Sequence, residues 1–207
     1  VNPGRFITFE GIDGAGKSTL AASLGQWLRA QGIEALCTRE PGGTELAESL
    51  RELVLTREMD ATTETLLVFA ARADHLALVI QPALAAGRWV ICDRFTDASF
   101  AYQGGGRGVP TESLRALEHL VHPGLQPALT VLVDLDPEAA AVRLRSVRLP
   151  DRFERQPVAF FRAVRAAYRA RVASAPGRYL VLDGRATPEA LLSQLCAQLA
   201  PWLGSHG

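Results

Sequence analysis

Residues 5–20 read RFITFEGIDGAGKSTL. An apolar run rich in β-branched and aromatic residues leads into a turn with glycine at positions 11, 14 and 16, and the turn opens a segment with apolar residues on one helical face. The turn, GIDGAGKS at 11–18, has the spacing G-x-x-x-x-G-K-[ST], and a strand before it with a helix after it is the setting that makes this spacing a phosphate cradle. Gly11, Gly14 and Gly16 let backbone N–H groups turn inward on phosphate oxygens, and the helix beginning near Lys17 adds the partial positive charge of its N-terminus. Lys17 is placed to bridge β- and γ-phosphates, and Ser18 to ligate Mg²⁺. The segment Gly11, Ile12, Asp13, Gly14, Ala15, Gly16, Lys17, Ser18 and Thr19 is therefore the candidate site for a nucleoside triphosphate.

Outward from the cradle, strand-like runs at 33–40 (IEALCTRE), 88–94 (RWVICDR), 129–135 (LTVLVDL) and 179–184 (YLVLDG) join the first at 5–11. Between them lie segments of helical period. Helices are predicted over 17–31, where Leu20, Leu24, Trp27 and Leu28 share a face ahead of Gly32, and over 44–57, 63–86, 157–173 and 188–203, with others opening at Thr111 and Pro137. Pro82 is expected to kink the 63–86 helix, and GGGRGVP at 104–110 reads as a chain breaker. Strands alternating with helices predict an α/β fold, a parallel sheet covered on both faces. The 207 residues suit a single domain spanning 1–207.

Basic and acidic residues number 22 each, so no charge excess favours a long nucleic-acid footprint. No apolar run reaches the roughly 18–20 residues of a membrane span, and the opening VNPGRFITFEG lacks the apolar core of a leader. A cytoplasmic protein with no membrane partner is expected. Cys37, Cys92 and Cys196 are odd in number, far apart and set in apolar stretches, which predicts buried, reduced thiols.

A phosphate cradle does not decide what becomes of the γ-phosphate, since switch proteins, motors, ATPases and small-molecule kinases all use one. The N-K-x-D pattern by which a GTPase reads its base does not occur. A kinase needs a second anion site, for which the planar fork of arginine is suited. Arg39 in TREPGGT, Arg72 in FAARADH, and Asp93 with Arg94 in CDRFTDASFAYQGGGRG fall where open α/β sheets bind ligands. On the residues alone, a kinase of some nucleoside monophosphate and a regulatory module that binds nucleotide without transferring phosphate both stand.

The pieces FEGIDGAGKST, TREPGGT, LAESLRELVL, FAARADH, VICDRFTDAS with AYQGGGRG, VDLDPE, DRFE and FFRAVRAAY together resemble the thymidylate kinase family in its bacterial form, over nearly the whole chain. The resemblance implies a P-loop NTPase fold of the nucleoside monophosphate kinase type, with a parallel sheet of about five strands and a lid over about 143–156. It also implies transfer of the ATP γ-phosphoryl group to dTMP, giving dTDP on the way to dTTP, with Mg²⁺ as cofactor and a homodimer as the assembly. Residue by residue, Asp13 matches the acidic group at the sugar–phosphate end of the monophosphate, and Arg94 the arginine that bridges acceptor phosphate and transferred group. Asp93 matches a carboxylate that holds Mg²⁺ through water, and Arg51 the monophosphate anchor, with Arg39 in the same loop as Glu40. For the base, Arg72 resembles the donor to thymine O4, Ser99 and Gln103 the residues near N3, and Tyr102 the aromatic packed against the deoxyribose. The family places a thymine-stacking phenylalanine four residues before the arginine; here that position is Val68, and Phe69, on the same helix face, is the candidate.

Residues 143–155, RLRSVRLPDRFER, hold five arginines in thirteen positions. A solvated helix face would explain such a run. The resemblance offers another reason: some family members carry a catalytic arginine at the position of Gly14, and the others supply it from the lid. Arg148 and Arg152 are then the expected catalytic pair, with Arg145 and Arg155 secondary and Arg143 structural. LDGRATPEA, with Arg185 and Ala186, lies where the family wraps adenine. His75 is expected to be structural or on the helix surface.

Overall fold

The computed structural model describes residues 4–144 and 152–203. Strands β1 (Phe6–Glu10), β2 (Ala35–Arg39), β3 (Trp89–Asp93), β4 (Leu129–Asp134) and β5 (Tyr179–Asp183) form one all-parallel sheet in the order β2-β3-β1-β4-β5. Composition explains the order. β1, β3 and β4 read FITFE, WVICD and LTVLVD and are buried almost throughout, as strands covered on both faces must be. β2 and β5 take the edges and are partly exposed. Cys37 on β2 is accordingly exposed, against the expectation from its apolar neighbours, while Cys92 on β3 is buried; all three cysteines are free thiols.

The helices are α1 (Lys17–Ala30), α2 (Glu45–Thr56), α3 (Ala61–His75), α4 (Gln81–Ala85), α5 (Thr96–Ser99), α6 (Thr111–Val121), α7 (Pro137–Leu144), α8 (Val158–Ser174) and α9 (Pro188–Leu203). The main core packs Ile7 and Phe9 of β1 with Leu24 and Leu28 of α1, Val164 of α8 and Leu195 of α9; across the sheet, Phe6 packs with Leu76, Ile80 and Val90. Alternate residues of β1 thus serve opposite cores. The stretch Ala61–Ala85 is long and apolar enough to cross a membrane by length and composition alone. Its Val68, Phe69, Ala71, Leu76 and Ile80 are spent on the protein core.

Two predicted features take another form. The 61–85 stretch is accommodated by a π-helical turn, Leu76–Ile80, in which the Gln81 N–H reaches the Leu76 carbonyl. Pro82 has no N–H to offer one turn back, and a π-turn absorbs the change of register. At 104–106 the glycines do not break the helix; the chain is helical from Thr96, through a π-helical turn Phe100–Gly106. These glycines admit α8: a Cβ at Gly105 would lie 2.6 Å from the Ala167 Cβ, and one at Gly106 would overlap the Phe160 ring. The stop comes at Gly108, with φ 76.

Candidate active site

The cradle follows β1 at the carboxyl end of the sheet, beside the point where successive strands go to opposite sides. Gly11, Gly14 and Gly16 all take positive φ, which L side chains resist. The buried Lys17 donates from Nζ to the Ile12 carbonyl at 2.9 Å. Burial and the nearby Arg94 charge lower its pKa, opposed by Asp13, Asp93 and Glu10. Ser18 donates from its hydroxyl to Asp93 Oδ2, and Asp93 Oδ1 is buried without a hydrogen-bond partner among the described residues. A hydroxyl beside a carboxylate with one oxygen unused is a donor set that fits Mg²⁺.

Arg94 leaves the end of β3 with φ 74, the one non-glycine residue of positive φ among those described. Its Nη1 donates to the Gly11 carbonyl at 2.9 Å and to Tyr168 Oη at 3.1 Å; its Nη2 donates to Asp13 Oδ1 at 2.6 Å and to Tyr102 Oη at 3.0 Å. The Tyr102 hydroxyl donates to Asp13 Oδ2 at 2.9 Å. Burial raises the pKa of Asp13, but the Arg94 and Lys17 charges outweigh it and hold the carboxyl well below the usual range. Behind this group, Glu10 accepts from the Phe95 N–H at 2.7 Å and from the Tyr168 hydroxyl at 2.8 Å. Burial, with Asp97 nearby, pushes its pKa up to about 8.

Beyond Asp13 opens a cleft of about 600 Å³ including its mouth, lined among others by Arg51, Val68, Arg72, Ser99, Tyr102 and Gln103. Arg51 donates to the Pro41 carbonyl at 2.9 Å. Arg72 is fully buried between the Phe69 and Phe95 rings, at 4.6 and 5.3 Å. Its Nε donates to Glu40 Oε2 at 2.7 Å and its Nη2 to Ser99 Oγ at 3.0 Å, while Nη1 has no partner among the described residues. Glu40 Oε1 lies 3.2 Å from His75 Nδ1, and His75 Nε2 lies 2.7 Å from Thr38 Oγ1. His75 is therefore a core residue that braces Glu40, not a surface one.

Three expectations meet a different placement. Phe69 does not line the cleft; it packs with Phe100 and Leu114 beneath Arg72, and Val68 faces the space instead. Arg39 is half-exposed in an ion pair with Glu48 at 3.0 Å and does not line the cleft. Arg152 is buried, donating to the Val54 carbonyl at 3.0 Å and to Glu64 at 2.6 Å, so it is a core anchor. Arg148 and Arg145 lie outside the described residues. In the predicted adenine region, Arg143 donates to the Gly184 carbonyl at 2.9 Å and Arg185 pairs with Asp183 at 2.7 Å.

Three participants escape sequence reasoning: Glu10, Tyr168 and Glu64. Only Glu64 carries a readable signal, being a carboxylate four residues before Val68 and eight before Arg72, within the buried stripe of α3.

A glycine-rich turn and an arginine-lined cleft meet at Asp13 and Arg94, and the P-loop nucleoside monophosphate kinases are the class built in this way. The family model described as thymidylate kinase matches residues 9–195. A thymidylate kinase of Methylobacillus flagellatus is 57% identical over 181 residues, covering 87% of this chain and 89% of that one. One of Chromohalobacter salexigens is 53% identical over 210 residues, covering 99% of each. The crystal structure of thymidylate kinase from Ehrlichia chaffeensis superposes with a TM-score of 0.77 at 32% identity, over 95% of this chain and 99% of that one. The chain belongs to the thymidylate kinase family.

Proposed function

We propose that this cleft carries out the family's reaction, transfer of the ATP γ-phosphoryl group to dTMP, with the cradle holding ATP and the Arg51–Arg72 side holding the monophosphate. The observation that carries the assignment is the junction of Asp13, Arg94 and Tyr102, which touches the cradle at Gly11 and lines the acceptor cleft. The acceptor is already a phosphate monoester, so its oxygen needs no strong base. Catalysis is alignment and charge neutralisation around a loose, in-line transition state. Lys17 and Arg94 neutralise the transferring group, Arg51 and Arg94 fix the acceptor phosphate, and Arg72 donates to the base. Tyr102, held by Asp13 and Arg94, fills the space where a ribose 2′-hydroxyl would lie.

Ser18 and Asp93 would hold Mg²⁺, which when bound neutralises phosphate charge. The lid arginines, Arg148 first, supply the positive charge that Gly14 has no side chain to give. Outside the site, Leu46, Leu53, Leu66 and Leu78 are large apolar residues left exposed on α2, α3 and the π-turn that follows, and such surface favours a homodimer. We place the enzyme in the cytoplasm. The test is single-turnover transfer from γ-labelled ATP with dTMP and Mg²⁺. Labelled dTDP is the expected product; labelled inorganic phosphate alone would refute kinase function.

A further inference from the structure

Glu64 is wholly buried and lies outside both anion sites, yet a carboxylate so placed must be bound to donors to be tolerated. Two groups donate to it, and a third, a cation, lies within ion-pair distance. Gln103 Nε2 donates to Oε1 at 2.9 Å, Arg152 Nη2 donates to Oε2 at 2.6 Å, and Arg107 Nη2 lies 3.3 Å from Oε2. Gln103 lines the acceptor cleft and Glu64 does not. A side-chain amide has one donating and one accepting end, and a carboxylate can take only the donating end. Glu64 therefore fixes which way round the Gln103 amide stands, with its NH₂ toward the core and its carbonyl toward the cleft.

The geometry points to Glu64 as a specificity-determining, positioning residue: by holding the Gln103 carbonyl toward the cleft, it makes the site accept a pyrimidine that presents an N3–H. This rests on the assignment of the cleft to dTMP. The unpartnered Arg72 Nη1 and the Gln103 carbonyl, on two residues that line the same cleft, then offer a donor and an acceptor, complementary to the O4 and N3–H of thymine. Cytosine presents the reverse, an amino donor at C4 and an unprotonated N3, and meets both groups with the wrong polarity. Without the Glu64 carboxylate the amide can turn over, offering its NH₂ to cytosine N3 as readily as its carbonyl to thymine N3–H. Arg152 and Arg107 share the same carboxylate, so the segment around Arg152 and the reader of the base are held by one group.

The test is calorimetric binding of dTMP and dCMP to the full chain and to Glu64→Gln, with the charge-balanced Glu64→Gln/Arg152→Met pair in case the lone arginine disrupts folding. Loss of polar complementarity is expected to reduce the dTMP:dCMP affinity ratio by about tenfold or more in either variant. Equal weakening of both nucleotides, leaving the ratio unchanged, would make Glu64 merely structural and overturn the inference. A wild-type chain with no preference for dTMP would instead overturn the base assignment on which it rests.

Discussion

Arg94 reaches Asp13 at 2.6 Å from a backbone of φ 74. A long side chain held in a left-handed conformation, with four acceptors around its guanidinium, is fixed in position before any ligand arrives. That preorganisation is lost when the fork is replaced by a point charge. Arg94→Lys keeps the charge but cannot span Gly11, Tyr168, Asp13 and Tyr102 together; kcat should fall by about 10²–10³, with little change in thermal midpoint. A kcat within a factor of about three of wild type in steady-state assays would remove Arg94 from the transition state.

Glu40 ties Arg72 to His75 inside the core. Glu40→Ala leaves a buried guanidinium without its counter-charge, and denaturant unfolding should show a loss of about 3–5 kcal/mol. In the milder His75→Gln, KM for dTMP should rise while kcat is nearly kept, because what is disturbed is the placing of Arg72. A fall in kcat with KM unchanged would contradict this.

Gly106 faces the Phe160 ring so closely that a methyl group overlaps it. Gly106→Ala should cost about 1–3 kcal/mol of stability. Phe160→Leu in the same chain should recover part of the thermal midpoint, and failure to do so would place the strain elsewhere.

The strands were legible to within two residues at either end, because short apolar runs separated by segments of helical period leave few alternatives. The glycines at 104–106 misled because composition cannot distinguish a glycine that breaks a helix from one that lets a second helix approach. The same holds for the site. Lys17, Ser18, Asp93 and Arg94 lie in contiguous motifs whose spacing fixes their geometry. The placing of Val68, Phe69 and Arg152 depends instead on how α3 packs against α2, the π-turns and the segment around Arg152, which is settled by packing between distant segments. Glu10 and Tyr168, 158 residues apart, meet only through that packing.

Glu10 gives stability a pH dependence of definite sign. Its pKa rises from an ordinary 4.5 to about 8 in the fold, so between these values the folded chain keeps a proton that the unfolded chain releases. This contribution is fully present below 4.5 and is lost as pH rises through about 8. Glu10→Gln should flatten the decline between those limits in chemical denaturation. An unaltered slope would assign the decline to another group.

Arg148 and Arg152 should separate kinetically. Arg148→Ala is expected to lower kcat far more than dTMP affinity. Arg152→Ala, which strips a donor from Glu64 and Val54, should lower thermal stability as well. Identical kinetic and thermal behaviour of the two variants would contradict the proposed division between a charge that acts on the phosphates and an anchor in the core.

The most direct test of the whole account is a coupled ADP-release assay in which dTMP is compared with dUMP, CMP, GMP and AMP at equal concentration. A kcat/KM for dTMP exceeding that for CMP by about 10² or more is predicted from the donor and acceptor placed against the base. Equal rates with dTMP and CMP would contradict it.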